Sequence, residues 1–268
     1  MARRTRAHPA MAAPRAPWRW ALAGLCLGAL AALLLWAPAR WLATAVQQAS
    51  GGQLLLREAQ GTVWTGSARL VLTGGAGSDD QAALPGLLHW RLRPAWGGVQ
   101  AQLAADCCTT TPLRLRAAPG LGAISLQLAN GQSQWPAAVL AGLGTPWNTL
   151  QPQGRLQLVT TGLNLHWAAG RVQLNGRAQL DALAMSSRLS TLRPMGSYRL
   201  LLQGGEAPTL ELSTLDGALL LSGNGQWVGQ RLRFTGEASA APEREAQLTN
   251  LLNIIGRRSG ARSIITLG

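Results

Sequence analysis

The sequence predicts a mainly β protein: one N-terminal transmembrane helix, then a large curved antiparallel β-sheet with one or two short helices. The sheet is expected as a sandwich or an open, barrel-like form. Three observations carry this. Trp20 to Ala39 is a run of twenty uncharged residues. From Gln53 onward the dominant hydrophobic period is 2, in short segments split by glycine. One phrase, arginine–apolar–any–apolar–polar–glycine, recurs at Arg69–Gly74, Arg171–Gly176, Arg199–Gly204 and Arg231–Gly236. It describes a strand with arginine on the wet face, apolar side chains inward and a glycine to turn the chain.

Residues 1–17 are basic and rich in Ala and Pro without apolar periodicity, and are expected as a disordered cytoplasmic tail. Residues 18–40 form the expected anchor. A helix of about 20 residues rises about 30 Å, the thickness of a hydrocarbon core. Trp18, Trp20, Trp36 and Trp41 mark its two ends at headgroup level. Arg3, Arg4, Arg6, Arg15 and Arg19 precede it with no acid among them, which keeps the N-terminus cytoplasmic and exports the rest. Ala43-Thr44-Ala45 offers a signal-cleavage reading, but the apolar run is longer than the usual h-region of about 7–15 residues. Gly24-x-x-x-Gly28 lies in the span, where the abundance of Gly and Ala makes chance the better explanation than helix pairing. Residues 41–52 are expected as a linker in which the helix continues to Ala49 and stops at Ser50-Gly51-Gly52.

Residues 53–268 are the expected exported β-rich domain. Strands are predicted at Arg69–Leu72, Leu87–Arg93, Val99–Leu103, Leu113–Arg116 and Ile124–Leu128, with a loop at Thr73–Asp80 and a hairpin-type turn pair at Asn130-Gly131. Leu156-x-Leu158, Leu200–Leu202, Leu210-x-Leu212 and Leu219–Leu221 add further strands. Trp64, Trp167 and Trp227 stand four or five residues before three of the recurring arginines. The spacings between copies are irregular, which excludes a fixed-period solenoid. Two helices interrupt the pattern: Pro136–Gly144, and a better one from Pro242. In the second, Glu243 and Glu245 occupy the first turn, Leu248, Leu251, Leu252 and Ile255 make one face, and Gly256 is the C′ residue. Ile264 and Ile265 suit a last short strand.

All the basic charge is arginine, 24 residues, 19 of them from Arg40 onward against 11 acids. They are spread singly along alternating segments, unlike the stripe of a nucleic-acid binder, and read as a solvated basic face with weaker attraction to anionic lipid. Cys26 lies in the span. Cys107 and Cys108 are adjacent, leaving open a vicinal disulfide, two thiols or an intermolecular bridge.

No catalytic, cofactor-binding or metal-ligating residue is assigned. The two exported histidines, His89 and His166, both stand in Leu-His-Trp on predicted strands, with no carboxylate or cysteine at helix or hairpin spacing. The acids are scattered, and neither Asp79-Asp80 nor Glu243/Glu245 suits a glycosidase couple. No P-loop, G-x-S-x-G or G-x-G-x-x-G stands in the required context.

Several stretches together resemble the type II (general) secretion system protein N family. They are Gly61-Thr62-Val63-Trp64-Thr65-Gly66-Ser67-Ala68, Leu88-His89-Trp90, Gly196-Ser197-Tyr198-Arg199-Leu200 and Leu215-Asp216-Gly217-Ala218-Leu219. Leu221-Ser222-Gly223-x-Gly225-x-Trp227, Phe234-x-Gly236-x-Ala238 and Leu251–Arg258 follow in order. The resemblance implies a non-catalytic accessory or scaffold protein of the bacterial inner membrane, single-pass with a periplasmic domain. Its partners would be other components of the machine, on the inner-membrane platform or toward the secretin; no cofactor and no nucleic acid is implied. The alternative is a periplasmic lipid-binding or lipid-transfer domain similar to AsmA-like proteins, decided by whether the inward face of the sheet is covered. A periplasmic hydrolase would need His89 or His166 joined to a distant acid.

Overall fold

The computed structural model describes residues 18–120, 122–168, 171–229 and 231–268. The tail 1–17, expected as disordered, lies outside them. The chain divides into two units, Met1–Ala37 and Pro38–Gly268.

In the first unit, helix α1 (Trp18–Leu35) is exposed on nearly every side, with Leu25 at 69% and Leu27 at 68%. It is shorter than the span read from sequence. Pro38 has no N–H to donate and disfavours helical backbone at the residue before it, so the helix stops at Leu35. Among the described residues no helix is long and apolar enough to cross a membrane.

The second unit begins with Pro38 as the N-cap of helix α2 (Ala39–Ala49). Residues 41–49 are helical, as expected for a helix continuing to Ala49, but they belong to this second helix, whose Ala39 and Leu42 pack against Ala68 and Trp90 of the sheet. The helix stops at Ser50, and Gly51 and Gly52 follow with φ of +61° and +83°, as the Ser-Gly-Gly signal requires.

The rest is one antiparallel sheet. Its strands are β1 (Leu54–Gly61), β2 (Thr65–Thr73), β3 (Gln81–Ala83), β4 (Leu88–Ala95), β5 (Gly98–Ala105), β6 (Leu113–Gly120), β7 (Ala123–Leu128) and β8 (Gly131–Pro136). They continue as β9 (Gln153–Ala168), β10 (Arg171–Ser186), β11 (Gly196–Gly205), β12 (Thr209–Gly217), β13 (Leu219–Val228), β14 (Arg231–Ala240), β15 (Arg257–Ser259) and β16 (Arg262–Leu267). Order in space follows order in sequence, except that β3 pairs β2, β8 pairs β9, and β16 lies between β14 and the edge strand β15. The sheet is open. A second packed sheet, the sandwich alternative, is not formed among the described residues. The recurring arginine phrase lies in β2, β10, β11 and β14, and its preceding tryptophans sit at or beside hairpin turns.

Asn130-Gly131 departs from the expected hairpin. β7 and β8 lie end to end along the single sixteen-residue strand β9, β7 against its last residues and β8 against its first. Asn130 stitches the kink: its side-chain oxygen accepts the Gly162 N–H at 2.7 Å, and the Thr160 hydroxyl donates to the Ala129 carbonyl at 3.0 Å. Gly162 (φ +58°) bulges β9 at this point, and Gly176 (φ +87°) marks the matching shift in β10.

Register gives the sheet two chemically distinct faces. Cross-strand rows such as Leu126–Leu165–Leu174 and Leu158–Leu180–Leu200–Leu212 line one face. Rows such as Arg91–Gln102–Arg114 and Gln100–Arg116–Gln127 line the other. The apolar face is partly covered by a 3₁₀ segment (Ala137–Leu143) where a helix was expected, by α3 (Trp147–Leu150) and by α4 (Glu245–Ile255). Leu248, Leu251 and Leu252 of α4 are at most 1% exposed, packed with Leu156, Met185, Met195, Tyr198 and Leu219. Gly256 is not left-handed as a C′ glycine would be; its backbone is extended (φ −163°). A Cβ there would strike the Ile264 carbonyl, so glycine serves close approach to β16.

Candidate functional site

The stretches that carried the family resemblance turn out to make contacts between neighbouring strands. Trp90 on β4 is buried with its ring over Gly66 of β2, where any Cβ would collide with the indole. Its Nε1–H donates to the carbonyls of Thr62 and Val63 at 3.2 and 3.1 Å, tying down the β1–β2 turn. Gly61–Ala68 and Leu88–Trp90 are therefore one packed unit. Gly196 faces Gly217 across β11 and β12 so closely that neither admits a side chain. The Phe234 ring lies over Gly223, Gly225 and Gly236. In each case an aromatic ring or a second backbone fills the space a glycine leaves.

The reactive side chains group in pairs. His89 Nε2 stands 3.1 Å from Asp106 Oδ1, and Asp106 Oδ2 accepts the Leu87 N–H at 3.0 Å. This corrects the sequence reading that no carboxylate falls at hairpin spacing. Both partners are about half exposed, at 48% and 54%. Beside them Cys107 and Cys108 are joined as a vicinal disulfide in the turn after β5. His166 is elsewhere, on β9 between Ser125 and Gln173, four strand steps from β4 and so about 19 Å across the sheet. Among the described residues no three of His, Cys, Asp and Glu converge as a metal site would need.

Asp181 and Arg199 form a two-pronged pair on β10 and β11, with Nε to Oδ1 at 2.7 Å and Nη2 to Oδ2 at 2.8 Å. The Arg199 hydrogen bonds hold the Asp181 carboxyl below its usual range against the opposing effect of burial, with help from Gln179. Arg199 is pushed up by the same partner. Next to it, burial pushes the Tyr198 phenol well up, and its hydroxyl has no hydrogen-bond partner among the described residues. The pair rivets the sheet beneath the α4 cluster.

The larger feature is the uncovered part of the apolar face. Leu115, Leu128, Leu126, Leu165, Leu174 and Leu210 are only half-buried and lie outside the packed clusters. A separate open trough of about 490 Å³ lies at the β7–β8 kink, where the polar rows supply Gln100, Gln102, Arg114, Arg116, Gln127 and Asn164 to its lining. The buried Asn164 Oδ1 there has no partner among the described residues. No sequence signal marked this trough, because it arises from the kink rather than from a residue pattern.

These features define a class by architecture: an open antiparallel meander with one apolar face, capped over part of its area by helices from the chain's own connections. The sequence profile of the family described as type II secretion system (T2SS), protein N, matches residues 52–265. The chain belongs to that family and is a component of the type II secretion system. No curated protein and no solved structure matched it.

Proposed function

We propose that this chain is a membrane-anchored, non-catalytic accessory or scaffold component of the type II machinery, which exports folded proteins from the periplasm across the outer membrane. The observation that carries it is the family match over 52–265, which coincides with the sheet domain. The anchor is assigned to the region of α1. Leu22, Leu25, Leu27, Leu30, Leu33 and Leu35 are exposed, an arrangement costly in water at about 25 cal/mol per Å² and favourable in lipid. The one-sided N-terminal arginines orient it with the N-terminus cytoplasmic and the sheet periplasmic, in the bacterial inner membrane. The partners are other components of the machine, reached through the sheet's surfaces, with no catalytic residue, metal or cofactor required.

The test is mild-detergent purification from native membranes with mass spectrometry of the copurifying proteins and of the intact chain. Secretion-platform subunits together with a mass that retains residues 18–40 are expected. A mature start near Val46 would overturn the anchor, and absence of secretion subunits would overturn the scaffold role. The uncovered leucine rows favour one second reading, an AsmA-like lipid-binding sheet. Stoichiometric phospholipid without secretion subunits would establish it instead.

A further inference from the structure

The sheet domain has a defined point of chain entry. Pro38, its first residue, forms an isolated antiparallel bridge with Thr62, in the turn between β1 and β2. Only Trp36 and Ala37 separate this bridge from α1. Every tight hairpin turn of the early strands lies at this same end: β1–β2 at Thr62–Trp64, β4–β5 at Trp96-Gly97 and β6–β7 near Gly122. The long connections, with Asp79, Asp80 and Asp106, leave from the other end.

The chemistry of the entry end is distinctive. Trp96, at the tip of the β4–β5 hairpin, is 97% exposed. Trp41, in the first turn of α2, is 49% exposed with Arg40 beside it. On the polar face behind Trp96 stand Arg91, Arg93, Arg114 and Arg116, all exposed and without an ion-pair partner among the described residues. Arg116 Nη2 donates to the Trp96 carbonyl at 3.1 Å, which places its guanidinium at the tip. The one acid in the neighbouring strands β1 to β7 is Glu58, and it is engaged by Arg69. One fully and one half-exposed indole, arginines without ion-pair partners and few acids together match the interface of an anionic bilayer.

We propose that this end of the sheet, the turns at Thr62–Trp64 and Trp96-Gly97 with Arg91, Arg93 and Arg116, rests on the anionic phospholipid surface from which the chain emerges. The inference rests on the anchored reading above: if α1 lies in the bilayer, two residues of chain keep Pro38 and Thr62 at its surface. Indole at position 96 then sits among headgroups, and the arginines meet phosphates. The later turns do not share the contact. A twist of about 20–25° per strand carries the tips beyond β7 progressively out of that plane.

The test uses the full chain with Cys26→Ala, spin-labelled at Trp96→Cys or, at the opposite end, Thr110→Cys, in nanodiscs containing phosphatidylglycerol. Expected is a label at position 96 with several-fold higher oxygen-to-aqueous-nickel accessibility than the label at position 110. Adding Arg91→Gln and Arg93→Gln is expected to lower that ratio toward the value at 110, as should pure phosphatidylcholine. Carbonate extraction of unlabelled membranes reports the anchor separately. Extraction into the supernatant would sink the anchored reading. Resistance to carbonate with an aqueous label at position 96 would overturn the surface contact alone.

Discussion

The packing of Trp90 on Gly66 can be broken from either side, and the two perturbations must interact. Trp90 is 3% exposed and its Nε1–H serves two turn carbonyls. Trp90→Ala removes the ring and both hydrogen bonds, for a loss of about 3–5 kcal/mol. Gly66→Ala inserts a methyl between the Gln60 carbonyl and the indole, where no space exists, at about 1–3 kcal/mol. In the Trp90→Ala background the indole is gone and only the Gln60 carbonyl opposes the methyl. The double variant should therefore be less destabilised than the sum of the singles by about 1–2 kcal/mol. Urea unfolding of the four full-length proteins in one detergent, followed by far-UV circular dichroism, measures this. Additivity within about 0.5 kcal/mol, or a Trp90→Ala loss under about 1 kcal/mol, would refute the claim that the two phrases form one unit.

Three further outcomes are expected. Asp181→Asn should cost about 1.5–3 kcal/mol near neutral pH, since charge-assisted hydrogen bonds to Arg199 are lost. Because the folded Asp181 carboxyl lies below its ordinary value of 3.8, the unfolded chain takes up the proton first; the contribution is complete above about pH 5 and is lost as pH falls through the folded value. Wild type and variant melting temperatures should thus converge on acidification, and a constant gap down to pH 3 would contradict the assignment. Leu251→Ala, at a position 1% exposed, should cost about 2–5 kcal/mol and speed amide exchange along α4 before the central strands. Reduction of Cys107–Cys108 should alter stability by only about 1 kcal/mol, because the closed loop joins adjacent residues; a melting shift beyond a few degrees would mean the bridge shapes its surroundings.

Much of this fold is legible in the residues. Alternation identified most of the strands because an antiparallel sheet with one dry face imposes period 2, and Arg69 and Arg231 of the arginine phrase stand exposed on the wet side of theirs. The α4 face was equally plain, since Leu248, Leu251 and Leu252 recur at helical spacing and are all buried. What escaped is what depends on register. Asp106 meets His89 because the β4–β5 hairpin pairs Leu88 with Ala105, which a symmetric count about Trp96-Gly97 would have revealed. Asn130-Gly131 has turn chemistry but spends it on a kink, since β9 is long enough to take both β7 and β8. The break between α1 and α2 has its signal in Pro38, which the continuous apolar run masks. The trough and the uncovered leucines have no local signature at all, because coverage depends on where distant connections come to rest.

Strand order in space follows order in the chain almost throughout. A polypeptide appearing N-terminus first can therefore add most strands to the edge already laid down, and β16 alone enters between β14 and an earlier strand, β15. The face is another matter. Leu156 and Tyr198 receive their cover from Leu248, Leu251 and Leu252, which appear only after β14. Until then the growing sheet carries a bare greasy flank. Assembly is sequential along the edge, but this part of the face is closed only when α4 docks, which makes residues 245–255 its latch.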